Sequence, residues 1–270
     1  MPAWVALGAA VWLRRRALGG VALAVVVLQL VLVWPMVRPA SSAADDAADD
    51  GATLRLRSFN VYLANDRLDE VATELLDGQV DVIALVEATP PVVEALDDAG
   101  VAARYPYRID RSAFGTIGTV VLSRRPIELV GTPTPALLVA RVDGGAAPDA
   151  TVLVVHAFPP SGDDPGSWVR TLDDVDAAMA GAEGPSVAIG DFNATLDHRA
   201  YRDLSHDGRT DAHVATGRGS ARSWPAGHRV PPLLLIDRAV LSPELQAVRT
   251  EETTVAGSDH RMIDVVVRHR

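Results

Sequence analysis

Apolar residues form one long run near the start of the chain and many short runs after it. Residues 17–37 contain 21 consecutive positions without a charge, and a helix needs roughly 20 apolar residues to cross the hydrocarbon core. Three arginines, Arg14 to Arg16, precede this run, and Trp34 stands near its end. The pattern predicts a transmembrane helix over 17–37, with 1–16 cytoplasmic or interfacial and the later chain outside the cytoplasm.

A cleaved signal peptide is the alternative for this run, because 40–43 offers small residues for cleavage. A signal h-region usually has about 7–15 residues, so the longer run favours an uncleaved anchor. Residues 1–13 are apolar but too short to span alone, and they are typical of an interfacial segment or of the remnant of an upstream span. Residues 38–52 are rich in Ala, Ser and Asp, which predicts an acidic, flexible linker.

The short runs after the linker predict one folded domain over 53–270. Apolar stretches predict strands at 53–61, 80–86, 116–123, 137–142, 151–156, 186–189, 233–241 and 262–267. Helical spacing predicts helices capped by Asn65 or Asp66, after Pro90, at 167–182 and around Ala200. Strands outnumber helices and several are close enough to pair antiparallel. The fold class expected is therefore α/β (α+β), a mixed sandwich and not a doubly wound parallel sheet.

Composition narrows the classes of function. The chain has no cysteine, so disulfides, thiolate zinc sites and cysteine nucleophiles are excluded. The 48% of hydrophobic residues exclude a disordered chain. The 25 basic residues, all arginine, are outnumbered by 35 acidic ones, and the net charge of −10 argues against a protein that coats nucleic acid.

Polar residues at the ends of the predicted strands are the candidate chemistry. They are Asn60, Glu87, His156, Asp191, Asn193, Asp259 and His260. Without a thiol, this oxygen-rich set suits a hard divalent ion, Mg²⁺ or Mn²⁺. Such an ion would stabilise charge on a phosphoryl group, the two histidines would donate hydrogen bonds, and an Asp beside an Asn would orient water.

Each of these residues also has a purely structural interpretation. Asn60 is typical of a turn, Glu87 of a solvated strand end, and the Asp-x-Asn at 191–193 of an Asx turn. His156 is compatible with a hydrogen-bonded core histidine. The order and placement of the whole set favour the functional interpretation.

The same residues resemble the endonuclease/exonuclease/phosphatase superfamily over about 54–268. The matching motifs are Ser58-Phe59-Asn60, Glu87 after DVIAL, Gly190-Asp191-Phe192-Asn193, Ile236-Asp237 and Gly257-Ser258-Asp259-His260. The family includes exonuclease-III-like nucleases, pancreatic deoxyribonuclease, neutral sphingomyelinases and inositol polyphosphate 5-phosphatases. The glycine-rich stretch 118–124, His156 before Pro159 and the Ser223-Trp224-Pro225 segment also look like the family. The last two features resemble its secreted or membrane-bound bacterial members.

The resemblance implies a four-layer sandwich of two mixed β-sheets flanked by helices. It also implies a role for each site residue. Glu87 would be the principal ligand of Mg²⁺ or Mn²⁺, with Asn60 close by and Asp259 completing the metal side. Asp191, supported by Asn193, would activate water, and His156 would bind phosphate. His260, oriented by Asp237, would stabilise the transition state or act as base, and the roles of Asp191 and His260 are exchangeable.

The function expected is metal-dependent hydrolysis of a phosphodiester or phosphomonoester outside the cytoplasm, with the enzyme anchored through 17–37. The substrate class stays open between nucleic acid, a phospholipid head group and a small phosphoester, and no obligate protein partner is indicated. Two alternatives are a catalytically degenerate module that binds an anionic ligand, and a cytoplasmic DNA repair nuclease whose start site is mis-set.

Overall fold

A computed structural model describes residues 3–12, 16–37, 53–145, 149–161, 164–227 and 230–270. The predicted linker 38–52 lies outside the described residues. At the N-terminus, helices α1 and α2 cover Ala3–Trp12 and Arg16–Val37. No helix within the described ranges is both long and apolar enough to cross a membrane. The predicted transmembrane helix over 17–37 is therefore not supported by the structure.

Six strands form the first mixed sheet, in the order β11-β12-β1-β2-β4-β3. Their bounds are β1 Thr53–Asn60, β2 Val82–Val86, β3 Tyr107–Arg111, β4 Thr119–Ser123, β11 Leu245–Thr254 and β12 Arg261–His269. The central pair β1 and β2 is parallel, and the other pairs in this sheet are antiparallel. The two parallel strands therefore end at the same edge of the sheet.

The second sheet has six strands in the order β5-β6-β7-β8-β10-β9. Their bounds are β5 Ile127–Thr134, β6 Leu137–Val142, β7 Ala150–His156, β8 Ser186–Asp191, β9 Thr210–Asp211 and β10 Asp237–Leu241. Here too the central pair, β7 and β8, is parallel and its outer neighbours are antiparallel. Each sheet thus presents one pair of parallel strand ends.

Helices cover the outer faces of both sheets. They are α3 Leu68–Leu76, α4 Pro90–Asp98, α5 Val101–Arg104, α6 Pro165–Ala180 and α7 Arg199–Asp203. The exception is the short helix α8, Ala212–Ala215, which contacts β10 and β11 and so bridges the two sheets. One buried cluster lies between the sheets, a second lies under α3 to α5, and a third lies under α6 and α7. The predicted pair of mixed sheets flanked by helices is confirmed. All three clusters lie within 54–267, so the chain from Thr53 onward contains its own complete core.

Strand β2 illustrates why the apolar runs predicted the central strands so well. Val82, Ala84 and Val86 face the other sheet, whereas Ile83 and Leu85 face the helices. A strand buried on both faces carries apolar side chains at every position. Its sequence is therefore a continuous apolar run that can be recognised locally.

Four strands were not predicted, and two predicted boundaries are wrong. One of the four, β9, has only two residues. Strands β3 and β5 are sheet edges whose residues are mostly exposed, and β11 alternates toward its end, so none forms an apolar run. The predicted cap of α3 is also wrong, because Arg67 is the N-cap and Asn65 instead accepts a bond from the Arg67 backbone amide. The strand predicted at 233–241 begins only at Asp237.

Candidate active site

The register of the second sheet places three site residues side by side. His156, the last residue of β7, pairs with Asp191, the last residue of β8. Asp191 pairs in turn with Asp237, the first residue of the antiparallel strand β10. Because paired residues in adjacent strands lie directly opposite each other, an imidazole and two carboxylates form a row where the central strands of this sheet end.

Asn60 joins this row to the first sheet. It ends β1, and Glu87 follows the parallel neighbour β2. The amide Nδ2 of the buried Asn60 donates to Glu87 Oε1 and to Asp191 Oδ2, each at 3.2 Å. Its Oδ1 accepts from the Tyr62 backbone amide at 3.0 Å, which fixes the orientation of the side chain. One amide therefore holds carboxylates from both sheets at a common point.

The backbone is unusual at two of these positions. Glu87 has φ 55° and Asn193 has φ 47°, a left-handed conformation that few non-glycine residues adopt. Glu87 Oε2 accepts from the Leu63 amide at 3.0 Å, and the Asn193 amide donates to Asp191 Oδ1 at 2.8 Å. The Asn193 side chain donates to the Ala157 carbonyl at 2.8 Å. Local strain of this kind is typical of positions where a side chain is aimed at a site.

The backbone requires a glycine at Gly190, the first residue of the GDFN motif. Its φ is 146°, and a Cβ there would lie 2.0 Å from the carbonyl oxygen of Val155. Only glycine lets β8 approach β7 this closely just before Asp191. The motif thus combines a backbone requirement at Gly190 with the chemistry of the next residue.

His156 directs its Nε2 atom into the site. Nδ1 lies 2.8 Å from the Thr116 carbonyl oxygen, and because a carbonyl only accepts, Nδ1 carries the hydrogen. The opposite nitrogen, Nε2, lies 3.6 Å from Glu87 Oε1 and 3.9 Å from Asp191 Oδ2. Nε2 therefore faces the place where the two carboxylates meet.

His260 and Asp237 form a buried pair. His260 Nδ1 lies 2.9 and 3.1 Å from the two oxygens of Asp237, and Nε2 lies 3.7 Å from Asp191 Oδ2. Burial lowers the pKa of His260, but the nearby carboxylates of Asp237 and Asp191 outweigh burial and raise that pKa to about 10. The imidazole is therefore a cation at neutral pH, with Nε2–H directed at Asp191.

Burial has the opposite effect on Asp191. Desolvation raises the pKa of the Asp191 carboxyl, the positive His260 lowers it, and the charge of Asp237 raises it. The net result is a pKa above the usual value. Its side chain is only 2% exposed. A carboxyl with a raised pKa beside a cationic imidazole has the properties that proton transfer requires.

The structure does not bring Asp259 into the same cavity. That cavity, of about 190 Å³, is lined on its polar side by Glu87, His156, Asp191, Asn193 and His260. Asp259 Oδ2 instead accepts from the indole Nε1 of Trp224 at 3.1 Å.

Two serines support the site and were missed as functional positions. The hydroxyl of Ser223 accepts from the backbone amides of Ile236 and Asp237, each at 3.1 Å. The hydroxyl of Ser258 donates to the Asn60 carbonyl at 2.7 Å and accepts from the His260 amide at 3.0 Å. Both serines belong to motifs that the sequence carries, but only their contacts show that they hold Asp237, Asn60 and His260 in place.

The donor set fits a hard divalent cation on the side of Glu87. Carboxylate oxygens of Glu87 and Asp191 converge on the Asn60 amide, and their hydrogen-bond and ion-pair partners in the described chain are amides and imidazoles, with no guanidinium to neutralise them. Atoms of Asp191, Asp237 and His260 also lie within 4.8 Å of one another.

Comparison with known proteins gives one family. Residues 58–260 match the model of the "Endonuclease/Exonuclease/phosphatase family". No curated protein matches the chain significantly.

Solved structures with the same fold come from several organisms. TDP2 of D. rerio, solved with a single-stranded DNA product, is 18% identical with a TM-score of 0.65, over 80% of this chain and 99% of that one. An endonuclease/exonuclease/phosphatase of Bacteroides vulgatus is 16% identical with a TM-score of 0.64, over 81% and 99%. A mannosyl-6-phosphatase of Bacteroides thetaiotaomicron is 16% identical with a TM-score of 0.58, over 79% and 99%. At these identities the likeness shows the fold alone.

Proposed function

Because the chain belongs to the endonuclease/exonuclease/phosphatase family, we propose that it is a divalent-metal-dependent phosphoesterase. The reaction is hydrolysis of a phosphodiester or phosphomonoester by in-line attack of water. The observation that carries the proposal is the convergence of Glu87 and Asp191 on one amide beside two imidazoles. Charge stabilisation and positioning are what phosphoryl transfer chiefly requires.

Mg²⁺ or Mn²⁺ is the proposed cofactor, held by Glu87 with Asn60 beside it. When bound, such an ion withdraws charge from the phosphoryl oxygens. The role of Asp259 as a further ligand stays a prediction, and its place beside Trp224 is compatible with a ligand that acts through water.

The protein's own residues supply the proton transfers and the hydrogen bonds. Asp191 lies between the imidazoles and is oriented by the Asn193 amide, so it is placed to position the attacking water. His156 Nε2 faces the same point and is suited to a phosphoryl oxygen. His260, held cationic by Asp237, stabilises the developing negative charge.

Hydrolysis of bis(p-nitrophenyl) phosphate and its monoester by the full chain tests this proposal. Turnover is expected with Mg²⁺ or Mn²⁺ and is abolished by EDTA. Asp191→Ala and His260→Ala are expected to lower it at least about 100-fold, whereas Glu94→Ala, an exposed site on α4, leaves it unchanged. Metal-independent turnover, or full activity in the first two variants, would overturn the proposal. A protein that binds phosphate without turnover would be the degenerate binding module.

We also propose that the catalytic domain lies outside the cytoplasm, anchored to the cell membrane through 17–37. The support is the sequence, in which three arginines precede the uncharged run. A reporter enzyme that is active only outside the cytoplasm is expected to function when it is fused after residue 50. Activity of a cytoplasmic reporter at the same position would contradict this orientation, and recovery of the protein in the soluble fraction would favour the repair nuclease.

A further inference from the structure

Exposed apolar side chains concentrate around the mouth of the catalytic cavity. We call five of them the apolar rim: Tyr62, Leu63, Phe114, Ile117 and Phe158, which are 36–78% exposed. They lie on three loops, 61–66, 112–118 and 157–161. Phe114 alone is 78% exposed. Soluble proteins rarely group such side chains without a binding function.

Each of the three loops contacts the site directly. The Leu63 amide bonds to Glu87, and the Thr116 carbonyl bonds to His156. Ile117 and Phe158 line the catalytic cavity itself. The apolar rim therefore borders the cavity that a substrate enters.

The charge of these loops argues against a nucleic acid as the partner. The only charged residue of the three loops is Asp66, and the arginines that flank them are Arg67, which pairs with Glu70, and Arg111. Proteins that bind single or double strands neutralise several phosphates with basic side chains. The segment 53–270 carries 31 acidic residues and 21 arginines, a net charge of −10, which would repel a polyanion or an anionic bilayer.

We propose that the apolar rim docks on the surface of a zwitterionic phospholipid bilayer, and that the substrate is the phosphoester of a lipid head group. The inference rests on the proposed function. Apolar side chains on loop tips insert below the head groups, and the phosphoester then stands at the level of the cavity that they border. A largely apolar rim whose only charge is one carboxylate matches a surface without net charge.

Co-sedimentation with phosphatidylcholine vesicles tests the docking. The fragment 53–270 is used because it contains all three buried clusters. This choice removes α1 and α2 as competing apolar elements. Phe114→Ser is expected to weaken binding at least about tenfold, and Phe114→Leu is expected to retain most of it. Tyr107→Ser is the matched control, since Tyr107 is an exposed aromatic residue at the opposite end of β3, and no change is expected.

The composition of the vesicles provides a second test. Adding phosphatidylglycerol is expected to weaken binding, because the domain is acidic. Equal binding by Phe114→Ser and Tyr107→Ser would overturn the inference, and so would tighter binding to single-stranded or duplex DNA than to vesicles. Vesicle binding requires no turnover, so diester hydrolysis without vesicle binding refutes only this inference. Vesicle binding without any diester hydrolysis refutes the proposed function, and with it the lipid substrate, but leaves the docking of the apolar rim in place.

Discussion

Replacing Asp237 by asparagine tests most directly how the site keeps His260 protonated. The Asp237 carboxylate holds two contacts to His260 Nδ1, at 2.9 and 3.1 Å. Asparagine keeps the shape and one oxygen acceptor but removes the negative charge. The expected result is a His260 with a much lower pKa and an enzyme that is active only at lower pH.

The magnitude follows from the raised pKa. A change from the ordinary 6.5 to about 10 is about 5 kcal/mol at 1.36 kcal/mol per unit. Burial lowers the pKa, and Asp237 and then Asp191 are the main causes that raise it. Without the Asp237 charge, we expect burial to prevail and the pKa to fall below about 7. His260 would then be largely neutral at pH 7, and kcat would fall by about 10²-fold or more.

The same shift makes a prediction about stability. Because the pKa of His260 is higher in the folded protein, protonation stabilises the fold fully below about pH 6.5 and is lost as the pH rises toward about 10. Wild type is therefore expected to lose stability across this window. Asp237→Asn is expected to lose much less, as measured by the free energy of unfolding in urea at pH 6.5 and pH 10.

NMR titration of the His260 ring and the pH–rate profile measure the effect directly. Asp259→Asn is the matched control for the titration, because Asp259 neighbours His260 but contributes less to its pKa than Asp237 or Asp191. A His260 that still titrates near pH 10 in Asp237→Asn would refute the reasoning, and so would an equal change in the control.

Three further predictions concern the metal side, a supporting contact and the fold. Glu87→Gln is expected to weaken Mg²⁺ binding at least about tenfold by isothermal titration calorimetry, and unchanged affinity would place the ion elsewhere. Trp224→Phe removes the indole hydrogen bond to Asp259 and is expected to lower kcat/KM by about five- to twentyfold in a diester assay. An unchanged kcat/KM would show that this hydrogen bond does not contribute to catalysis. Asp211→Asn leaves the buried Arg238 unpaired and is expected to cost about 3–5 kcal/mol in urea unfolding. Burial raises the pKa of Asp211, but Arg238 holds that pKa below its usual value. The stability that this pair contributes is therefore present above about pH 4 and is lost at lower pH. A wild type that is equally stable at pH 2 and pH 6 would contradict this prediction.

The sequence alone predicted those parts of the fold whose signal is local. Central strands such as β2 and β8 are buried on both faces and therefore appear as apolar runs. Edge strands such as β3 are exposed and have no such pattern. The transmembrane prediction, which was also local, is not supported by the structure.

The sequence also indicated which residues carry the chemistry, because polar residues at the ends of apolar strands are recognisable one by one. It could not show how they pair. His156 and Asp191 face each other only through the register of β7 and β8, and the Asn60 bond to Asp191 joins positions 131 residues apart. The supporting role of the Ser223 hydroxyl at Asp237 likewise exists only in the folded chain.

The positions of the central strands and of the candidate site residues were thus determined by the sequence, since side-chain pattern and turn chemistry act over a few neighbouring residues. Register, burial and the meeting of the two sheets were decided by the tertiary structure, since they depend on contacts between distant segments. The protonation of His260 belongs to the second group. Burial lowers its pKa and two carboxylates from other strands raise it, and no local pattern of residues contains that information.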